Sequence, residues 1–202
     1  VRRLSLKKGD VFSEKISGLK TGQAITLKRK DQKVLNHKET PIKLNGVYAF
    51  NEQGDFKNLS GVVKNDSLYW KAKRNDQFLY FVFEDKTEQR VKRAAPGGDG
   101  WVLDHFSKKG TENYLSTFSK KLDGLNGKVR AIFNDSYEVY GADYTLDFFN
   151  SFAKYRGYDL KPYLNRLFED DNEISNRIRG DYRATLSDLL TQEFATSWRR
   201  WS

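Results

Sequence analysis

The chain has no cysteine and no methionine among its 202 residues, and only two histidines and three prolines. Without cysteine there is no disulfide framework, no thiolate zinc site and no thiol nucleophile. His37 and His105 are too few and too far apart for a histidine-rich metal centre. A metal would have to be held by carboxylates and carbonyls, which are the ligands of a hard cation such as calcium. No apolar run approaches the roughly 20 residues that cross a bilayer. The opening Val1-Arg2-Arg3-Leu4 is not followed by an apolar stretch of signal-peptide length. Lacking a starting methionine, the sequence reads as an excised or processed piece, so the missing leader says nothing about location.

What is present is polar and charged. Hydrophobic residues make up 38% of the chain and the mean hydropathy is −0.78, yet the length is enough to bury a core. The formal net charge of +9 is unevenly spread. Residues 1–95 hold 21 Lys/Arg against 11 Asp/Glu, a net of +10; residues 96–202 hold 15 against 16, a net of −1. The basic half scatters its lysines between apolar residues and has no dense basic helix or nucleic-acid motif. A solvated, lysine-rich β surface accounts for it. No nucleic-acid or membrane partner is expected.

The first half predicts β structure. Short runs recur at 24–27, 46–50, 67–70 and 77–83, separated by the turn-formers of 51–55 and 64–66. The run Pro96-Gly97-Gly98-Asp99-Gly100 then marks a connector. Beyond it, strand candidates at 101–104 and 128–134 alternate with helical patterns. One helix is expected over 107–122, with Tyr114, Leu115, Phe118 and Leu122 on one face. Another follows Thr145 as N-cap, carries Leu146, Phe149 and Phe152, and ends at Gly157. Asp159 caps a short helix with Pro162 in its first turn. From Ile174 to Trp198 apolar residues recur every three or four positions, the pattern of an amphipathic helix of roughly 25 residues. The aromatics of Trp198-Arg199-Arg200-Trp201 are read as core packing or a contact with an absent part.

The expected fold class is therefore α/β: a partial (β/α)8 TIM-type barrel segment over 94–202, preceded by a small antiparallel β domain over 1–93. In such barrels reactive groups sit at the C-terminal ends of the strands. Two places qualify, Asp104-His105 and the loop Asn134-Asp135-Ser136-Tyr137-Glu138 with Asp143 and Tyr144 after it. Glycoside cleavage needs two carboxyl groups across the scissile bond, with hydroxyl-binding polar groups and aromatic faces around them. The loop has the residue types for one half of that. The plain alternative is that Asp135 and Ser136 bond the loop backbone and Glu138 lies in water. The acidic run Glu169-Asp170-Asp171 with Glu173 is a solvated linker or a calcium site.

Read together, these segments resemble glycoside hydrolase family 106, the α-L-rhamnosidases. The resemblance is carried by Ala131-Ile132-Phe133-Asn134-Asp135-Ser136-Tyr137-Glu138, by Ala142-Asp143-Tyr144-Thr145 with Phe148-Phe149, and by Tyr155-Arg156-Gly157-Tyr158-Asp159-Leu160. It continues through Pro162-Tyr163-Leu164 and Asp181-Tyr182-Arg183-Ala184-Thr185-Leu186. Upstream, Ala94-Ala95-Pro96-Gly97-Gly98-Asp99-Gly100 and Asp104-His105-Phe106-Ser107-Lys108 belong to the same pattern.

The resemblance implies a β insertion within a barrel, inverting hydrolysis of terminal rhamnosyl linkages in polysaccharides, calcium, and a periplasmic or extracellular bacterial enzyme. It assigns Glu138 as general acid and leaves its partner carboxylate beyond Ser202. Asp135, Ser136, Tyr137, Asp143, Tyr144, Asp104 and His105 are the expected substrate-binding residues; no metal ligand is assigned. The rest of a longer chain is expected to pack on residues 94–202. A β-galactosidase-like glycosidase and a non-catalytic carbohydrate-binding module remain as alternatives.

Overall fold

In a computed structural model, residues 1–16, 43–74, 77–125, 127–135, 137–168 and 172–202 are described. The strand expected at 24–27 and the acidic run 169–171 lie outside them, as do His37 and Ser136. The chain divides into two compact units. One comprises Val1–Asp85 with Leu160–Asn176, the other Lys86–Asp159 with Arg177–Ser202.

The described residues of the first unit form six strands: β1 (Arg2–Leu6), β2 (Val11–Lys15), β3 (Lys43–Asn51), β4 (Phe56–Asn58), β5 (Ser67–Lys71) and β6 (Gln77–Glu84). All pairings are antiparallel. β1, β6, β3 and β4 form one sheet in that order, and β2 and β5 form a second. The aromatic and β-branched runs at β3 and β6 explain why these two are central, since both of their faces are buried. Strand alternation sends Val47, Ala49, Leu79 and Phe81 to one face, where they join Phe12, Ile16, Leu59 and Leu68 in a core. Tyr48, Phe50 and Tyr80 occupy the opposite face, with Phe50 and Tyr80 edge to face at 5.1 Å. The same unit includes the short helix α3 (Leu164–Phe168), with Leu160, Leu164 and Leu167 buried.

β3 is interrupted by a bulge. Its register with β6 passes from Leu44↔Phe83 to Gly46↔Val82, leaving Asn45 as the extra residue. Just after it, Ser60 Oγ accepts a 3.0 Å bond from Val47 N. A Cβ on Gly46 would run into the buried Tyr48 hydroxyl and lie 2.9 Å from Ser60 Oγ.

The second unit is largely helical. Helix α1 (Lys108–Leu122) starts where Ser107 Oγ accepts from Gly110 N, and Lys120 and Lys121 complement the negative end of its dipole. It buries Thr111 and Leu115, whereas Tyr114 and Phe118 are exposed and pack against each other. Helix α2 (Phe148–Arg156) begins two residues later than expected. Asp147, not Thr145, is its N-cap, and it buries Phe148 and Phe152 while Leu146 is 75% exposed. The Thr145 hydroxyl instead donates to Asp104, as described below. Gly157, at φ +80°, closes α2 in the left-handed conformation that favours glycine. The 3-10 turn Lys161–Tyr163 has Leu160, not Asp159, as its N-cap, with Pro162 in its first turn.

The final amphipathic stretch is helical throughout but not uniformly α. Helix α4 (Glu173–Leu189) passes into a π-helical segment, Leu190–Ala195, and then into α5 (Thr196–Trp201). The apolar positions Tyr182, Leu186, Leu190, Phe194 and Trp198 recur every four residues. That interval overshoots a 3.6-residue turn, and the wider π turn takes up the drift. Thr196 accordingly sends both its N–H and its hydroxyl to Thr191 O.

The strands expected at 101–104 and 128–134 do not form. Trp101 makes a single antiparallel bridge with Arg90, and Lys128 to Asn134 pair with no strand. A strand persists only where a neighbour completes its ladder. Among the described residues of this unit none does. The observed class is a mixed α/β structure with antiparallel sheets, and no parallel strand pair forms among the described residues. No helix among the described residues is long and apolar enough to cross a membrane.

Gly46→Ala is expected to lower stability by roughly 1–3 kcal/mol through overpacking at the bulge. The measurement is a reduced urea midpoint at unchanged slope. An unaltered midpoint would mean that the Tyr48 ring yields freely.

Candidate functional site

The loop 128–146 has no ladder of its own, so side chains must hold it. Several attachments do so, among them that of Tyr182 at Asp143. The first is a carboxylate tie: Asp104 Oδ1 accepts from Phe106 N at 3.0 Å, and Oδ2 accepts from the buried Thr145 hydroxyl at 2.7 Å. Asp104 thus joins the start of α1 to the end of the loop. Both of its oxygens already have partners, which makes it a positioning group.

The second attachment is an amide clamp that sequence reading missed. Gln89 Nε2 donates to Glu138 O, and Gln89 Oε1 accepts from Tyr140 N at 2.8 Å. A lone glutamine before a glycine-rich connector carries no motif. What delivers it is the pairing of 89–91 with 100–102, through Val91 N to Gly100 O and Val102 N to Gln89 O, both 3.0 Å. The Glu138 main chain is therefore fixed while its side chain projects into solvent. Lys92 Nζ stands 3.7 Å from Glu138 Oε2, and both groups are more than half exposed. Such a pair contributes little to stability.

The third attachment is aromatic. His105 lies edge-on to Tyr137 at 5.3 Å and to Phe194 at 5.0 Å, and Tyr137 meets Phe194 at 5.2 Å. Phe194 is buried on the π segment, so that distortion seats the third ring of the cluster. Burial lowers the His105 pKa, against the opposing pull of Asp104. Burial thus favours the neutral imidazole.

Other expected residues fall into place around these anchors. Asp143 gives its backbone oxygen to Tyr182 Oη at 2.5 Å. Although Asp143 is exposed as a residue, desolvation around its carboxyl raises its pKa. Tyr182 is buried and its phenol is pushed well above its usual range, first by burial and then by the Asp143 charge. Tyr144 packs against Phe148 and Phe149 at 5.8 and 6.0 Å. Asp135 is exposed, with its backbone oxygen accepting from Asn134 Nδ2 at 3.0 Å. His105, Tyr137 and Asp104 with Thr145 are thus drawn into direct contacts, while Asp135 and Glu138 stand at the surface.

Calcium needs six to eight oxygen ligands in one shell. Among the described residues no three His, Asp or Glu side chains gather into a metal-binding group. The described donor set does not fit calcium.

Two outcomes follow. Asp104→Ala strands the buried Thr145 hydroxyl and is expected to cost about 1–3 kcal/mol, seen as a lower urea midpoint. An NMR titration is expected to place His105 below its ordinary 6.5. Because the folded value is the lower one, this stabilisation is full above the unfolded pKa near 6.5. It erodes as the pH falls from there through the folded value. A His105 signal titrating at or above 6.5 contradicts the desolvation of its ring beside Phe194.

Known proteins are similar to this chain over most of its length. A protein of Formosa agariphila named "Putative beta-glucuronidase" is 28% identical over 177 residues, which is 83% of this chain and 15% of that protein. The solved rhamnosidase of Novosphingobium sp. PP1Y is 28% identical, with a TM-score of 0.55 over 74% of this chain and 16% of its own. The chain therefore spans only about a sixth of these relatives. The family model described as alpha-L-rhamnosidase matches residues 50–200, a span that contains Glu138 and both ends of the loop. On that match, the chain belongs to glycoside hydrolase family 106.

Proposed function

We propose that this chain is part of a longer rhamnosidase-like enzyme that hydrolyses terminal rhamnosyl linkages in polysaccharides outside the cytoplasm, in the periplasm or extracellular space of a bacterium. Residues 1–93 are then an inserted β domain and 94–202 a portion of a (β/α)8 barrel. The observation that supports this best is Glu138 itself. Its carboxyl projects from a loop whose main chain is clamped by Gln89, within the residues matched to the family.

In this reading Glu138 protonates the departing glycosidic oxygen. A water on the opposite face of the sugar attacks the anomeric carbon, deprotonated by a second carboxylate, and the configuration inverts. The two carboxyls then stand roughly 6.5–9.5 Å apart to admit the water. The second carboxylate comes from residues outside these 202. Tyr137 and Tyr144 offer ring faces to the C–H side of the sugar. Asp135, Ser136, Asp143 and His105 hydrogen-bond its hydroxyls, the neutral imidazole being able both to donate and to accept. Asp104 acts through Thr145 and Phe106, holding the loop.

A second glycosidase specificity has one observation in its favour, the name of the Formosa agariphila relative. A panel of aryl glycosides separates the two. The longer protein is expected to release the aryl group from an α-L-rhamnoside in preference to a β-glucuronide or a β-galactoside. Glu138→Gln in that protein is expected to reduce turnover of the preferred substrate roughly 10²–10⁴-fold. Retention of near-normal activity removes Glu138 from the mechanism, and preference for the glucuronide overturns the rhamnosyl specificity.

A further inference from the structure

Away from the Glu138 loop, the helices of the second unit enclose two depressions that share a wall. One, of about 260 Å³, is lined by Lys108, Lys154, Glu193 and Arg200, together with Ser197. The other, of about 300 Å³, shares Lys108, Ser197 and Arg200 and extends to Trp201. Together they run from the C-terminal turn of α2, past the start of α1, to the end of α5.

The charges of this groove are unbalanced in a specific way. Among the described residues neither Lys154 nor Arg200 forms an ion pair. Lys108 reaches Glu112 at 3.8 Å, but both groups are largely exposed and the pair contributes little. Glu193 is presented to the same depression by the π segment. Its charge reaches the neighbouring Tyr155, whose phenol is raised first by desolvation and then by Glu193. At the other end the Trp201 ring is fixed, because its Nε1 donates to Ser119 Oγ at 2.9 Å and the ring abuts Trp198.

We propose that this groove is a binding site for an acidic saccharide, separate from the hydrolytic centre assigned to Glu138. Lys154 and Arg200 take the anionic substituent in charge-assisted hydrogen bonds. Glu193 accepts from ring hydroxyls, a task that a pocket for a bare anion does not need and would be penalised for. Trp201 offers an apolar face to the C–H side of the adjoining sugar. A volume near the lower end of ligand pockets suits one or two sugar rings. The anionic group is a carboxylate, as in a uronic acid, or a sulfate ester.

The test is an amide and indole chemical-shift titration of the chain with four probes: methyl β-D-glucuronide, a glucose sulfate ester, methyl β-D-glucoside and sodium sulfate. Saturating shifts at Ser197 and the Trp201 indole are expected with the glucuronide, the sulfate ester or both, and which one responds identifies the anionic group. The uncharged glucoside is expected to bind at least ~10-fold more weakly. Arg200→Gln and Lys154→Gln should each weaken the acidic sugar by roughly 10-fold while the urea midpoint stays unchanged. Trp201→Ala should weaken it without altering the preference for charge. The proposal is overturned if sodium sulfate binds as tightly as the acidic sugars, if the glucoside matches them, or if none of the sugars shifts these signals. Activity of the longer enzyme does not enter the readout, so failure here and failure of the Glu138 assignment are distinguishable.

Discussion

A backbone that forms neither helix nor ladder must find other partners for its shape to persist, and the segment from Lys128 to Thr145 depends on this constraint throughout. Its anchors include side chains brought from four other places: Asp104 before α1, Gln89 before the connector, Tyr182 from α4 and Phe194 from the π segment. Each of these lies in a stretch whose own conformation is secured by main-chain bonds. The loop's geometry is therefore borrowed from its surroundings. An exposed carboxyl such as Glu138 gains a fixed origin this way without being buried, and catalytic groups need a fixed origin more than they need an isolated environment.

The β unit solves a different problem. Its two central strands are buried on both faces, so they carry nearly continuous apolar and aromatic runs, and these are the elements most legible from sequence. The runs at 46–50, 67–70 and 77–83 fall within β3, β5 and β6. β1 and β2 carry weaker signals because they lie at sheet edges with mixed charges, and they emerge only through pairing with β6 and β5. The helices were legible in extent more than in face. Of the expected stripe Leu115 is buried, but Tyr114 and Phe118 are exposed, and Thr111 is the residue that joins Leu115 inside. Spacing fixes which residues share a side, whereas tertiary contacts decide which side is buried.

The candidate site divides along the same line. Residue types and family motifs pointed to Glu138 and its neighbours because chemistry is written in side-chain identity. The strands assumed beneath them were inferred from a period that needs adjacent strands to become structure, and 128–134 has none. Gln89 escaped notice since its role arises only after a hairpin-like pairing carries it 49 residues along the chain to the Glu138 carbonyl. Thr145 has the local pattern of a cap, but the helix starts from Asp147 and the Thr145 hydroxyl donates to a carboxylate 41 residues away. Both residues make non-local hydrogen bonds, and such bonds leave no periodic trace.

The π segment has a mechanical consequence for this half of the molecule. A helix that gains one residue without gaining a turn changes phase by about 100° for everything after it. Leu190–Ala195 is therefore a phase shifter between two surfaces, with Phe194 facing the loop cluster and Glu193 facing the basic groove from the adjacent position. Removing the extra residue would leave the helix intact and its composition almost unchanged. Yet Arg200 and Trp201 would rotate out of the groove while the residues before Leu190 stayed in place. The length of this one segment, more than the identity of any residue in it, sets the angular relation between the two surfaces.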